Sequence, residues 1–392
     1  MSETDWSPTS EAVAADQRAA YDAMRERCPV ARDGTGAWTL FRHDDVVAAA
    51  LDPATFSSRV SRHLNVPNGM DGEEHARFRA LIDPYLAPGA VARLEPRFRG
   101  LAARLVASLP GDRSVEAVSE LGARFAVRAQ SAWLGWPAEL EDTLLGWMDD
   151  NLEATRSRRL SRTAAVAERF DAIVRSLIEA RRRAGADAPD DVTTQLLGER
   201  IDGRPLSDEE VISILRNWTA GDLGSIAACI GVVVHRLAVD AGLQERLRGS
   251  GRGGDELEAE IDEILRIDDP FVSNRRLATV DVEVGGRTVR AGERVVLNWT
   301  AANRDPRVMG DPDSRRPAEN ALRNVVYGIG VHECPGRGLA TLELRVAIEE
   351  LLAATSAIEL APGADPVREA PPRGGYRTVP VMLRPGPGRP TG

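Results

Sequence analysis

The stretch "YGIGVHECPGRGLA", Tyr327 to Ala340, sets one cysteine, Cys334, between a glycine-rich turn and the start of a segment with helical apolar periodicity. A sulfur just before a helix N-terminus meets amide donors and the positive end of the dipole, both of which favour the thiolate. Gly328, Gly330 and Gly336 allow the backbone to turn tightly and to lie close to a flat ligand. These residue types leave three uses open: a nucleophile, a metal ligand or a buried bystander. The other cysteines, Cys28 and Cys229, stand at no short pairing distance, which argues against a disulfide scaffold or a CxxC-type zinc site.

The elements around this loop read as mainly helical. "VARLEPRFRGLAARLVASL", "VAERFDAIVRSLIEARRRAG" and "ATLELRVAIEELLAAT" repeat apolar residues every three or four positions. The most informative segment starts at "SDEEV", where Ser207 and Glu210 have the spacing of a capping box. It then runs apolar on most sides for about 30 residues, roughly 45 Å of helix, which predicts a crossing of the protein's centre. Strand signals cluster in "VDVEVGGRTVRAGERVVLN", with Gly285-Gly286 as a hairpin turn. The 392 residues, 43% of them hydrophobic, can bury a large core. With no dividing linker, the expectation is one mainly α domain with a small β region over residues 1–392, with 1–15 and 385–392 as disordered tails. A net charge of −10 argues against general nucleic-acid binding. The chain reads as free of membrane spans and of a signal peptide, hence cytoplasmic.

The Cys loop closely resembles the cysteine-ligand loop of the cytochrome P450 superfamily, F-x-x-G-x-[H/R]-x-C-x-G, on which Gly330, His332, Cys334 and Gly336 fall and Tyr327 replaces the leading Phe. Three further segments match in order. "EILR" supplies E-x-x-R through Glu263 and Arg266, "EHARFR" gives His75 and Arg79, and "RLATVDVEVGG" resembles the strand that carries Arg276. The resemblance implies haem b bound through Cys334 as the iron's thiolate ligand, with His75, Arg79, Arg276 and His332 neutralising the propionates. It also implies the P450 fold and electrons from a ferredoxin and ferredoxin reductase. Arg97, Arg99, Arg104, Arg337 and Arg345 are candidates for the docking patch. The meander arginine that usually joins E-x-x-R is left between Arg315 and Arg316. Pro335 follows the cysteine without an N–H to give.

The distal side departs from the family. Where A-G-x-[D/E]-T-[T/S] is usual, aligning Ala220-Gly221 puts Leu223 at the acid and Gly224 at the threonine. Asp222 and Ser225, three residues apart, share a helix face and form a candidate proton relay, with Gly221 and Gly224 shaping the groove. Asp222 can equally be structural, and Ser225 can return a bond to the previous turn. The short segment "SRHLNVPNGMDG" suggests an open pocket mouth. The implied activity is monooxygenation of a small organic or peptide substrate in bacterial secondary metabolism. The altered groove leaves one-electron coupling, peroxide-driven oxidation and a non-catalytic haem sensor as alternatives.

Overall fold

In the computed structural model, which describes residues 4–251 and 254–386, the capping box at Ser207 forms: its hydroxyl accepts from Glu210 N at 3.2 Å, and the Glu210 carboxylate accepts from Ser207 N at 2.7 Å. From there the helix Asp208–Val239 runs unbroken for 32 residues. Ile214, Leu215, Leu223, Ile230 and Val234 along it have no exposed surface, as expected of an element with core on most sides. By length and composition it is the one helix among the described residues able to cross a membrane, and 56% of that apolar window is buried inside the protein. Its apolarity is therefore that of a core helix. Around it pack Arg124–Leu134, Leu160–Ala184, Asp255–Ile267 and Arg337–Ala354.

The β region is a five-stranded sheet in the order Val30–Arg32, Trp38–Leu40, Arg294–Asn298, Ser273–Ala278, Phe56–Ser57, with a three-stranded sheet and smaller ladders beside it. Arg294–Asn298 runs parallel to Trp38–Leu40 and antiparallel to Ser273–Ala278, pairing Val295 with Arg276. The hairpin at Gly285-Gly286 is present, both glycines at positive φ, joining Val282–Val284 to Arg287–Val289. Two expectations change. "VARLEPRFRGLAARLVASL" is two helices, Pro88–Ala92 and Glu95–Ser108, because Pro96 fits only the first turn of a new helix. The first residues are no loose tail: Ser10 caps a helix Glu11–Ala15, and the Trp6 ring packs edge-on to Phe41 at 5.0 Å. At the other end Pro385 closes a strand, while 1–3 and 387–392 lie outside the described residues.

Glu263 and Arg266 sit at 2% and 0% exposure on Asp255–Ile267 and pair in two parallel hydrogen bonds of 2.8 and 2.9 Å. The meander partner is neither arginine side chain. Glu263 accepts instead from Asn320 Nδ2 at 2.8 Å and from the Arg316 backbone N–H at 2.9 Å, while Arg315 pairs with Glu260 and Asp240. Arg266 donates to the carbonyls of Asn303, Pro312 and Ser314. Removing one member strands the other charge in the core, so Glu263→Ala should lower folding stability by about 3–5 kcal/mol. Urea denaturation checks this, and a loss under about 1 kcal/mol would show that the pair does not hold the meander.

Candidate active site

The Cys loop turns on two left-handed residues, Gly328 at φ 72° and Gly330 at φ 79°. At Gly330 a side chain would also stand 3.1 Å from Leu51 and 3.3 Å from Ala50 O, so glycine is required there twice over. Cys334 N closes the loop on Tyr327 O at 2.9 Å, and the helix Arg337–Ala354 starts three residues later. Arg79 braces the loop from outside, donating to the carbonyls of Val331 and Glu333 at 3.1 and 3.3 Å. Beside Cys334, Arg79, Leu86, Gly330 and Pro335 bound a cavity of about 620 Å³.

Cys334 presents surface to solvent, yet protein crowds its sulfur across a crevice. Desolvation there pushes the Cys334 thiol up to about 11, and the Asp222 carboxylate across the crevice adds to the effect. The Gly336 N–H and Arg79 pull the other way and do not win. The expectation of a lowered pKa is thereby reversed for the free thiol: burial outweighs the helix terminus. A thiol of this kind is neutral at pH 7 and ionises when a cation binds the sulfur. The Gly336 amide supplies the hydrogen bond that Pro335 cannot.

His75, His332 and Arg276 converge nearby. His75 and Arg79 are one turn apart on Gly72–Ile82, the His75 and His332 ring centres are 4.3 Å apart, and Arg276 is 5% exposed. Burial and the neighbouring His75 and Arg276 push His332 down to about 4, and burial with Arg79 lowers His75. Burial also lowers Arg276, whose guanidinium donates to its own neighbour's carbonyl, Arg275 O, at 2.9 Å. His332 Nε2 is 3.4 Å from the Asp71 carboxylate but makes no hydrogen bond there and is buried. Three buried basic side chains, each lowered by desolvation and one of them, His332, also by the other two and with its Nε2 orphaned, fit a ligand that brings its own carboxylates. Together with a sulfur donor between close-lying glycines, this set suits a flat, doubly anionic metal complex such as haem.

The opposite wall is the middle of the central helix. Gly221 is exposed and has open space where a side chain would stand, although Leu223, Ile226 and Ala227 beside it are buried. No bulge turns Asp222 and Ser225 towards each other. Ser225 gives its hydroxyl to Gly221 O, the return bond of a helical serine, and Asp222 accepts from Gln130 Nε2 on Arg124–Leu134. The same amide lies 3.4 Å from Glu343, a fully buried carboxyl on Arg337–Ala354. Two acids around one amide in the interior cannot both ionise cheaply. Glu343 is held well above the carboxylate range by burial and by Asp222, and burial lifts Asp222 to about 7. Sequence reasoning missed Gln130 and Glu343. A lone amide in the apolar run "FAVRAQSAWLGW" was the available signal.

The remaining expectations divide. The short 61–72 segment is tied to the central helix: Val66 N donates to Ser213 Oγ, and Asn217 and Arg216 donate to Val66 O and Leu64 O. Of the basic patch, Arg99 is held by Glu95, Glu349 and Glu350, and Arg345 by Glu95 and Glu258. Arg337 pairs with Asp262 and Glu333 and lies over the Tyr327 ring, while Arg97 and Arg104 are exposed.

Residues 256–370 match the family described as Cytochrome P450. The chain is 31% identical over 365 residues to the erythromycin C-12 hydroxylase of Saccharopolyspora erythraea, covering 86% of this chain and 88% of that one. The chain is a cytochrome P450. It is also 30% identical over 387 residues to the vitamin D(3) 25-hydroxylase of Pseudonocardia autotrophica, covering 93% of each. The solved structure of a P450 EryK mutant in complex with erythromycin B superposes with a TM-score of 0.87 at 27% identity, covering 95% of this chain and 97% of that one. This P450 is a monooxygenase of small organic molecules, and its family implies a haem-thiolate cofactor.

The Asp222 shift carries a stability signature. An acid raised from 3.8 to about 7 binds its proton more tightly folded than unfolded, so its contribution is present at low pH and is lost as pH rises between about 4 and 7. Asp222→Asn should therefore gain in melting temperature relative to wild type across that window and no further above it. A difference that stays constant from pH 4 to 8 would contradict the assignment.

Proposed function

We propose that this P450 holds haem b through Cys334 Sγ and works as a single domain in the cytoplasm, oxidising a small molecule of bacterial secondary metabolism. The observation that carries the reading is Cys334 in a loop that also brings His332 against His75 and Arg276, with the His332 Nε2 buried and not hydrogen-bonded. In this reading His75, Arg79, Arg276 and His332 take the two propionates, and Gly336 hydrogen-bonds the sulfur. When bound, haem supplies the redox chemistry of dioxygen, and its thiolate ligand favours O–O cleavage.

The chain's own residues position substrate and protons. Gly221 keeps the middle of the helix thin, leaving room beside the groove, and Gly224 admits the Arg373 guanidinium against the helix. Asp222, near pH 7 half protonated, is the proton donor facing Cys334's side of the crevice. Gln130 and the neutral Glu343 stand behind it as the buried store from which it is recharged. Ser225, tied to Gly221 O, acts through the backbone at the groove and shapes it. Electrons come from a ferredoxin and its reductase. With Arg99, Arg345 and Arg337 already paired with acids, docking rests on the exposed Arg97 and Arg104.

Two outcomes follow. Cys334→Ser should abolish the carbon monoxide difference band of thiolate-ligated ferrous haem, and a variant that keeps the band would remove the proposed ligand. Because Asp222 donates only while protonated, coupling of electrons to product should fall as pH rises through about 7. In Asp222→Asn coupling should be low and flat over that range. Coupling that titrates identically in both proteins would place the donor elsewhere.

A further inference from the structure

Arg373 is a cation without a carboxylate partner set against the centre of the protein. Its Nη2 donates to Gly224 O at 3.0 Å, and Gly224 lets it lie there, since a Cβ at 224 would stand 3.4 Å from Nη1. Gly224 is one turn from Gly221, above which the space is open, so the guanidinium edges the space over the thin part of the central helix. Among the described residues no carboxylate lies within ion-pair distance of it. Glu369, the acid that acts on it through space, makes its bonds elsewhere, with Arg156 at 3.0 and 2.6 Å and with the Ala370 N–H at 2.8 Å. One carbonyl uses one of five donors in a group that costs several kcal/mol to desolvate unpaired. Burial lowers its pKa, but it remains a cation at neutral pH.

The loop carrying Arg373 is fixed. Gln17 Nε2 donates to Arg373 O at 2.7 Å and to Glu369 O at 2.9 Å, Arg373 N donates to Ala370 O at 3.2 Å, and Gly374 N donates to Pro270 O at 3.0 Å. Gly374 admits no substitute, because a Cβ there would fall 2.3 Å from Asp269 O. A rigid backbone presenting an uncompensated planar fork towards open space is the arrangement that recognises a carboxylate in two parallel bonds. His75, His332 and Arg276 form a separate basic group, belonging to the Cys-loop side.

We propose that Arg373 is the anion-recognising residue of the substrate pocket and that the molecule oxidised carries a carboxylate. This rests on the crevice being the haem and substrate site. It makes Arg373 a specificity-determining residue, which orients the substrate by its acid and leaves the carbon chain over the groove at Gly221.

The test uses the haem-loaded enzyme and probes that report from the iron. The imidazol-1-yl derivatives of butanoate, hexanoate, octanoate and decanoate are titrated beside the uncharged 1-alkylimidazoles of matching length, and nitrogen ligation is read from the Soret shift. In wild type at least one carboxylate should bind about tenfold or more tighter than its neutral match, the worth of a charge-assisted hydrogen-bond pair. That ratio should fall to about one in Arg373→Gln and return in part in Arg373→Lys, which keeps the charge without the fork, while the neutral imidazoles bind all three proteins alike. Equal ratios in wild type and Arg373→Gln at every length would overturn the assignment. Should Arg373→Gln not fold, an unchanged ratio in Arg373→Lys together with a wild-type ratio near one would overturn it too. Failure of even the neutral imidazoles to shift the Soret band would instead sink the haem reading, and this inference with it.

Discussion

The Glu263–Arg266 pair is the constraint from which the Cys loop takes its position. An ion pair with no access to water is stable only when its remaining donors and acceptors are used, and here they are used on the meander. Arg266 fixes Asn303 through its carbonyl, and Asn303 Oδ1 accepts from Val325 N at 2.8 Å. Val325 O then accepts from Gly328 N, and Tyr327 O accepts from Cys334 N, both at 2.9 Å. Four links carry the geometry from a helix pair to the sulfur. The loop itself has little regular structure, so its precision is borrowed from a charge that cannot be left unsatisfied.

Across the crevice the logic is inverted. The Cys loop is held by the chain of hydrogen bonds just traced, whereas the acids at the central helix share too few donors: Glu343 Oε2 and Gln130 Oε1 are buried without partners, and Asp222 shares one amide with Glu343. In low dielectric such a pair resolves its strain by keeping a proton. That is a cost to the fold that a protein built only for stability would remove with apolar residues. Under the proposed mechanism, its place beside a thin, glycine-lined helix is where protons are held in reserve.

How much of this was legible in the sequence depends on how local each interaction is. The Cys loop and the Glu263–Arg266 turn are contiguous, so spacing alone exposes them. His75, Arg79 and Arg276 were found because the family repeats them in order, not because periodicity marks them. Asn320 completes Glu263's hydrogen bonds from 57 positions away in an aperiodic meander, where no local pattern distinguishes it from Arg315 or Arg316. The direction of the Cys334 shift was misread for the same reason: the helix N-terminus is visible in the chain, but the desolvation that outweighs it is a property of the assembled crevice. The N-terminal residues were taken for a tail on composition, yet Trp6 gains a partner in Phe41 only once the strands have formed.

The distribution of unpaired cations completes the account. This chain carries 50 Lys and Arg against 60 Asp and Glu side chains, and its surface arginines are mostly matched with acids, including Arg99, Arg337 and Arg345 of the expected docking patch. Against that background Arg373 stands inside with no carboxylate bonded to it among the described residues, and the His75–His332–Arg276 cluster has Asp71 as the carboxylate beside it. Where acids are plentiful, an interior cation without one marks a position whose counter-charge comes with a ligand. The free energy spent on desolvating those groups is returned on binding, so ligand and fold are linked by mass action. The two groups sit on different elements, one on the Cys-loop side and one against the central helix. Under the proposed haem and substrate assignments their ligands meet over Gly221, where the helix offers least bulk, and the site of oxidation is set by where two separately anchored molecules touch.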